Sequence, residues 1–171
     1  MKLLVLCVET DNKADTDPKY IDKAIRSFYV VNNDIRITYI RMDGKGNYKK
    51  KSIVKQIREQ LSGDFDETCV AYCIDIDNLA DSDILEQNKN IKEYCDKLNY
   101  KYIWFCRDIE EVFLHKRIPK SEKKRESIKF SHLSNLDKAK EASLSSKTET
   151  PFKSNLLCVL DTFLVRKPIE N

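Results

Sequence analysis

Glycine is scarce: the 171 residues include only three, Gly44, Gly46 and Gly63. Close backbone approach to a phosphate relies on glycine, so a glycine-rich nucleotide cradle is disfavoured. The nearest candidate, "GKGNYKKKS", is not a phosphate-binding loop, because Ser or Thr does not follow its Gly-Lys pair. Long apolar runs are also missing, and none approaches the roughly 20 residues that a membrane span needs. The apolar run at residues 3–8 is too short for a signal peptide, lacks a small-residue cleavage site and meets Glu9 at once. It reads as the first core strand of a cytoplasmic protein with no membrane partner.

Charge of one sign is missing too. With 31 basic and 28 acidic residues the formal charge is only +3, so net charge alone argues for no partner. The 35% share of charged residues implies a heavily solvated surface. There are two histidines. His115 reads as a helix C-terminal cap, and no Ser-His-Asp or Cys-His pattern has a convincing spacing. None of the six cysteines forms a C-x-x-C pair. Cys7, Cys69, Cys73 and Cys106 fall in or beside apolar runs, where a free thiol acts as a small hydrophobe, so zinc and disulfide frameworks are not expected.

Four apolar runs are present, at residues 2–8, 35–40, 68–74 and 100–106. Segments of helical periodicity separate them. Tyr20, Ile21, Ala24, Ile25 and Phe28 follow Pro18; Ile53, Val54, Ile57 and Leu61 precede Gly63; Ile84, Leu85, Ile91, Cys95 and Leu98 repeat the pattern. The alternation predicts an α/β domain in three layers, with four parallel strands in the order 2-1-3-4. A short helix is expected over residues 108–116. Residues 117–171 form a C-terminal extension: a basic segment, a polar stretch at 131–150 that reads as mobile or loosely helical, and a last helix over 156–165 packing on the sheet.

In such sheets ligands bind at the carboxyl ends of the strands where the winding reverses. Strand 1 ends at Glu9 and strand 3 ends in "CIDIDN", with Asp75 and Asp77. Strand order brings these three carboxylates to one edge. Unpaired carboxylates so close repel one another. A divalent cation with oxygen ligands, Mg2+ or Mn2+, relieves that repulsion; Arg107 or nearby lysines neutralise it equally well. Strand 4 ends in "WFCRDIEEVFLH", which adds Asp108, Glu110 and Glu111 at the same edge.

A glutamate ending strand 1, an Asp-x-Asp after strand 3 and a four-strand α/β unit resemble the Toprim domain of topoisomerases, DnaG-type primases and OLD nucleases. "RDIEEVFL" is similar to the Asn-Pro-x-Phe-Glu-x-Trp-Leu-Leu stretch of RloB-like proteins, small Toprim proteins found near bacterial restriction and defence loci. The resemblance spans residues 1–116. It implies a metal-dependent nuclease or other phosphodiester-acting enzyme of phage defence or a mobile element. Glu9, Asp75 and Asp77 would be metal ligands and catalytic acids, with Glu110 as a further catalytic acid. Such a setting leaves room for a partner protein from a defence or mobile-element operon. The family's glycine after the first glutamate is replaced by Thr10, and Asp11, Asp15 and Asp17 are the candidates for its second acid. No glycine follows Asp77 either. The alternative is therefore a catalytically degenerate Toprim-fold module that binds nucleic acid or protein.

Two basic stretches flank the acidic edge, residues 41–55 and 116–129. Lys45, Lys49, Lys50, Lys51, Lys55, Arg107, Lys116 and Arg117 are the candidates for gripping a DNA or RNA backbone.

Overall fold

The computed structural model describes residues 1–10, 16–77, 80–119, 121–132 and 136–168. Strands β1 (Lys2–Val8), β2 (Ile35–Arg41), β3 (Glu67–Asp75) and β4 (Lys101–Phe105) form a parallel sheet in the order β2-β1-β3-β4. The topology expected from the strand–helix alternation is the one observed. β1 lies between β2 and β3, and its residues 3–8 are fully buried, which explains their unbroken apolar character.

Alternation of side chains along β1 divides the core into two layers. Leu4, Leu6 and Val8 face α1 (Thr16–Phe28), α4 (Ile109–Leu114) and the C-terminal helices. Leu3, Val5 and Cys7 face α2 (Lys51–Leu61) and α3 (Ser82–Lys97). α1 buries Tyr20, Ile21, Ala24 and Ile25, the apolar stripe read from its sequence. All six cysteines are free thiols, and Cys7, Cys73, Cys95 and Cys106 are buried.

The segment after α4 is more ordered than its composition suggests. It holds α5 (Lys123–Ser131), α6 (Lys138–Leu144) and α7 (Leu156–Leu160). Phe130 of α5 packs on Tyr20 and Phe113, with ring centroids 4.5 and 5.4 Å away. One aromatic at helical spacing thus docks a helix that is otherwise almost wholly polar. The last helix stops at Leu160, short of the expected Val165, and turns follow through residue 163.

A side chain completes the outer edge of the sheet. Asn155 accepts from Trp104 N at 2.8 Å and donates to Tyr102 O at 3.0 Å, as a neighbouring strand would. Ser154 Oγ donates to Trp104 O at 2.6 Å, and Cys106 N donates to Lys153 O at 2.9 Å. The exposed edge that β4 would otherwise present is thereby covered.

Candidate functional site

Strand register sets the geometry at the carboxyl edge. Val8 pairs with Cys73, so β3 runs two residues beyond β1 and carries Asp75 past the end of its neighbour. Glu9 follows Val8 directly, and its Oε1 accepts a hydrogen bond from Asp75 N at 2.7 Å. The Asp75 carboxylate accepts from Ile109 N at 3.1 Å, which ties the start of α4 to β3.

Asp17 enters the same group from the first turn of α1. It is buried, and its carboxylate accepts from Thr10 N at 3.2 Å and from Thr16 Oγ1 at 3.3 Å. Of the three candidates for the second acid, Asp17 is the one brought here; Asp11 and Asp15 lie outside the described residues. Its signal in the sequence was the adjacent Pro18, which suits the first turn of a helix and so places Asp17 at the start of α1.

The protonation behaviour of the group follows from crowding. Burial, reinforced by Asp77 and Asp17, pushes the Glu9 carboxyl up to about 7, against the opposing pull of the Asp75 N–H and Lys45. Burial raises Asp17 to about 6 despite its hydrogen bonds and the Lys123 charge. Asp75 is raised well above the usual carboxylate range, by burial first and then by the charges of Glu9 and Asp17. The Asp17 charge bears on Glu9, and both bear on Asp75, so negative charge is only partly compensated here.

Lysines enter this edge from two sides. After β2 the chain turns through Asp43 and Gly44, both at positive φ (56° and 96°), and Gly44 N bonds Glu9 O at 2.8 Å. The Gly44 conformation, with ψ at 147°, is essentially restricted to glycine. This turn swings Lys45 inward, where it is buried. Its ammonium donates to Asp75 O at 2.7 Å and to the Asp77 carboxylate. On the other side, Lys123 of α5 bonds Asp108 Oδ2 at 3.0 Å and Glu110 Oε2 at 3.1 Å. Glu110 is buried and its carboxyl is raised by burial, with Lys123 opposing.

Asp77, expected beside Glu9 and Asp75, is the more exposed of the strand 3 acids, and its carboxylate is engaged by Lys45. Its backbone sits at φ 53° and its N–H bonds Arg107 O at 2.8 Å. Glu111, also buried, pairs with Arg107 at 3.5 Å.

The expected backbone-binding residues divide. Lys45 faces inward onto the acids. Lys49, Lys50, Lys51 and Lys55 are exposed at the start of α2, with Lys49 over the Tyr48 ring at 5.4 Å and Lys55 paired to Glu59 at 3.6 Å. Arg107 is engaged by Glu111, and Lys116 pairs with Glu126 at 3.1 Å. Arg117 is exposed. His115 ends α4 in the left-handed region and its N–H bonds Glu111 O at 2.8 Å, the capping role expected of it.

As the side chains stand, no group of three or more His, Cys, Asp or Glu among the described residues is set to hold a metal ion. The Glu9, Asp17 and Asp75 carboxylates all accept from the chain's own donors. The donor set itself is of the hard, all-oxygen kind. Beside Asp17 the hydroxyl of Thr10 is buried without a hydrogen-bond partner among the described residues. Donors of this kind are the ones that Mg2+ and Mn2+ take.

No family model matches the chain, and no curated protein matches it. A de novo designed Rossmann fold protein of solved structure is 19% identical and covers 78% of this chain and 100% of its own, with a TM-score of 0.34. At that score the likeness carries no argument. Among the described residues, no helix is long and apolar enough to cross a membrane.

Proposed function

We propose that this chain is a Toprim-like, RloB-like phosphodiester-acting enzyme, a cytoplasmic nuclease of phage defence or of a mobile element that works with Mg2+ or Mn2+. The observation that carries the reading is the convergence of Glu9, Asp17 and Asp75 at the carboxyl ends of β1 and β3, where burial raises the proton affinity of all three. Glu9, Asp75 and Asp17 would hold the cation, with Asp77 able to join once it leaves Lys45. A bound Mg2+ or Mn2+ neutralises charge developing on a phosphate and makes water a better nucleophile. Alternatively Glu9 stays off the cation and serves as general acid or base, a role its raised carboxyl favours at neutral pH. Lys49, Lys50, Lys51 and Lys55, exposed at the start of α2, would grip a DNA or RNA backbone. A partner protein from a neighbouring defence or mobile-element gene is part of the same reading.

A second reading is a catalytically degenerate module of the same fold that binds nucleic acid or protein. The engagement of the carboxylates by main-chain N–H groups and of Asp77 by Lys45 favours it. Mn2+ titration by calorimetry on wild type and on Asp75→Asn/Asp77→Asn separates the two. Binding in wild type that is lost in the variant supports the enzyme, and nuclease assays with both metals follow. Heat from neither protein rejects the metal and leaves the binding module.

A further inference from the structure

Where α3 lies beside the outer strand β4, the surface carries two adjoining hollows. One, of about 380 Å³, is lined by Tyr102 and Trp104 of the strand and by Lys92 and Asp96 of α3. The other, of about 180 Å³, is lined by Ile76 and by Asn88 and Lys89 of α3. Lys92, Tyr102 and Glu149 border both, so the two form one groove. Asn88, Lys92 and Asp96 share a helix face because they are four residues apart. The larger hollow alone reaches the size of small-molecule sites, about 300–1,000 Å³.

This groove holds a buried polar atom with nothing to bond. Asn88 is only 7% exposed. Its Nδ2 donates to Ile76 O at 3.4 Å, while its Oδ1 has no hydrogen-bond partner among the described residues. A buried acceptor left so is costly, and only a group bringing a donor satisfies it. Alongside, Tyr102 and Trp104 offer aromatic surface to a planar ring. Lys89 pairs with Glu93 at 4.0 Å, but Lys92 and Lys101, which also line the groove, form no ion pair among the described residues. Asp96 and Glu149 add carboxylates, which accept from hydroxyls.

We propose that the groove between α3 and β4 binds a nucleoside phosphate whose base carries an exocyclic amino group. The base lies against Tyr102 and Trp104, its amino group donates to Asn88 Oδ1, ribose hydroxyls donate to Glu149, and the phosphate meets Lys92 and Lys101. Simpler ligands leave part of the groove unmet: inorganic phosphate ignores the aromatic wall and Asn88, and an apolar ring ignores both Asn88 and the lysines. A free nucleotide and one residue of a single strand share this chemistry. Glu9, Asp17 and Asp75 take no part, so failure here leaves the reading of those acids untouched.

Trp104, the one tryptophan of the chain, lines the groove and reports its occupancy. Titration of the full chain with AMP, CMP and GMP, read by tryptophan fluorescence and calorimetry, is expected to show saturable binding at one site for at least one of them. For that nucleotide, Asn88→Leu and Lys92→Gln should each weaken binding about tenfold, and the nucleoside without its phosphate should bind wild type and Lys92→Gln alike. Lys92 is exposed, so its variant serves alone if Asn88→Leu fails to fold by circular dichroism. Competition by a single-stranded oligonucleotide of the same base assigns the groove to a strand, and its absence assigns the groove to the free nucleotide. No saturable change with any of the three nucleotides, or affinity unaltered in the folded variants, overturns the proposal.

Discussion

The Glu9 carboxylate accepts the main-chain N–H of Asp75 at 2.7 Å, joining the ends of β1 and β3. The bond links two acids that repel one another, and folding holds them together. The consequences are measurable.

Stability should fall as pH rises through the weakly acidic range. Burial, with neighbouring acids, lifts Glu9 to about 7, and burial lifts Asp17 to about 6 in the folded chain, whereas the unfolded chain binds these protons only below about pH 4. Between those limits the folded state holds more protons, so raising pH favours unfolding, and above about pH 7 the effect is complete. The melting temperature should be higher at pH 5 than at pH 7.5. Glu9→Gln should flatten this dependence and stabilise the chain at pH 7.5 by on the order of 2 kcal/mol, a rise of roughly 4–8 °C. A melting temperature that rises with pH over this window would contradict the crowding described.

Charge and hydrogen bonding at Asp75 separate cleanly by substitution. Its Oδ1 accepts from Ile109 N at 3.1 Å. Asp75→Asn keeps an acceptor there and removes one repelling charge. Asp75→Ala leaves the N–H unsatisfied, at about 1–3 kcal/mol. Urea denaturation followed by the fluorescence of Trp104, the one tryptophan, should rank Asn above Ala by at least about 1 kcal/mol.

Asp77 and Arg107 both adopt positive φ, 53° and 76°, and are joined by Asp77 N to Arg107 O. Such conformations tolerate Asn and Asp and penalise β-branched side chains. Asp77→Asn should fold with little loss despite giving up the Lys45 ion pair, whereas Asp77→Val should lose about 1–2 kcal/mol. Equal midpoints for the two variants in the same urea series would argue against the left-handed turn.

The Asn155 amide substitutes for a strand at the β4 edge. Asn155→Ala should destabilise the chain by about 1–3 kcal/mol by stranding Trp104 N and Tyr102 O. It should also promote concentration-dependent association, read by light scattering, as the edge becomes available.

If the exposed lysines of α2 hold a nucleic-acid backbone, Lys49→Ala/Lys50→Ala/Lys51→Ala should weaken binding to any sequence alike. The slope of log K against log salt should shrink by about 0.9 per lost contact on duplex DNA and about 0.7 on single strands. An unchanged slope would move the interface elsewhere, for instance to Arg117.

The alternation of buried runs with amphipathic stripes determined the sheet, because burial on both faces of β1 and β3 demands continuous apolar residues and the helices need one apolar face each. Chirality of the crossovers then fixed the order, and with it the meeting of Glu9 and Asp75. Other features are decided by tertiary contacts between residues far apart in the chain. Lys45 reads as one basic residue among many until the Asp43–Gly44 turn drives it onto Asp77. Lys123 lies in a charged run that pattern alone assigns to solvent, and Phe130 brings it to Glu110. Composition records how many charges a segment carries; which of them are desolvated and paired depends on what folds against them.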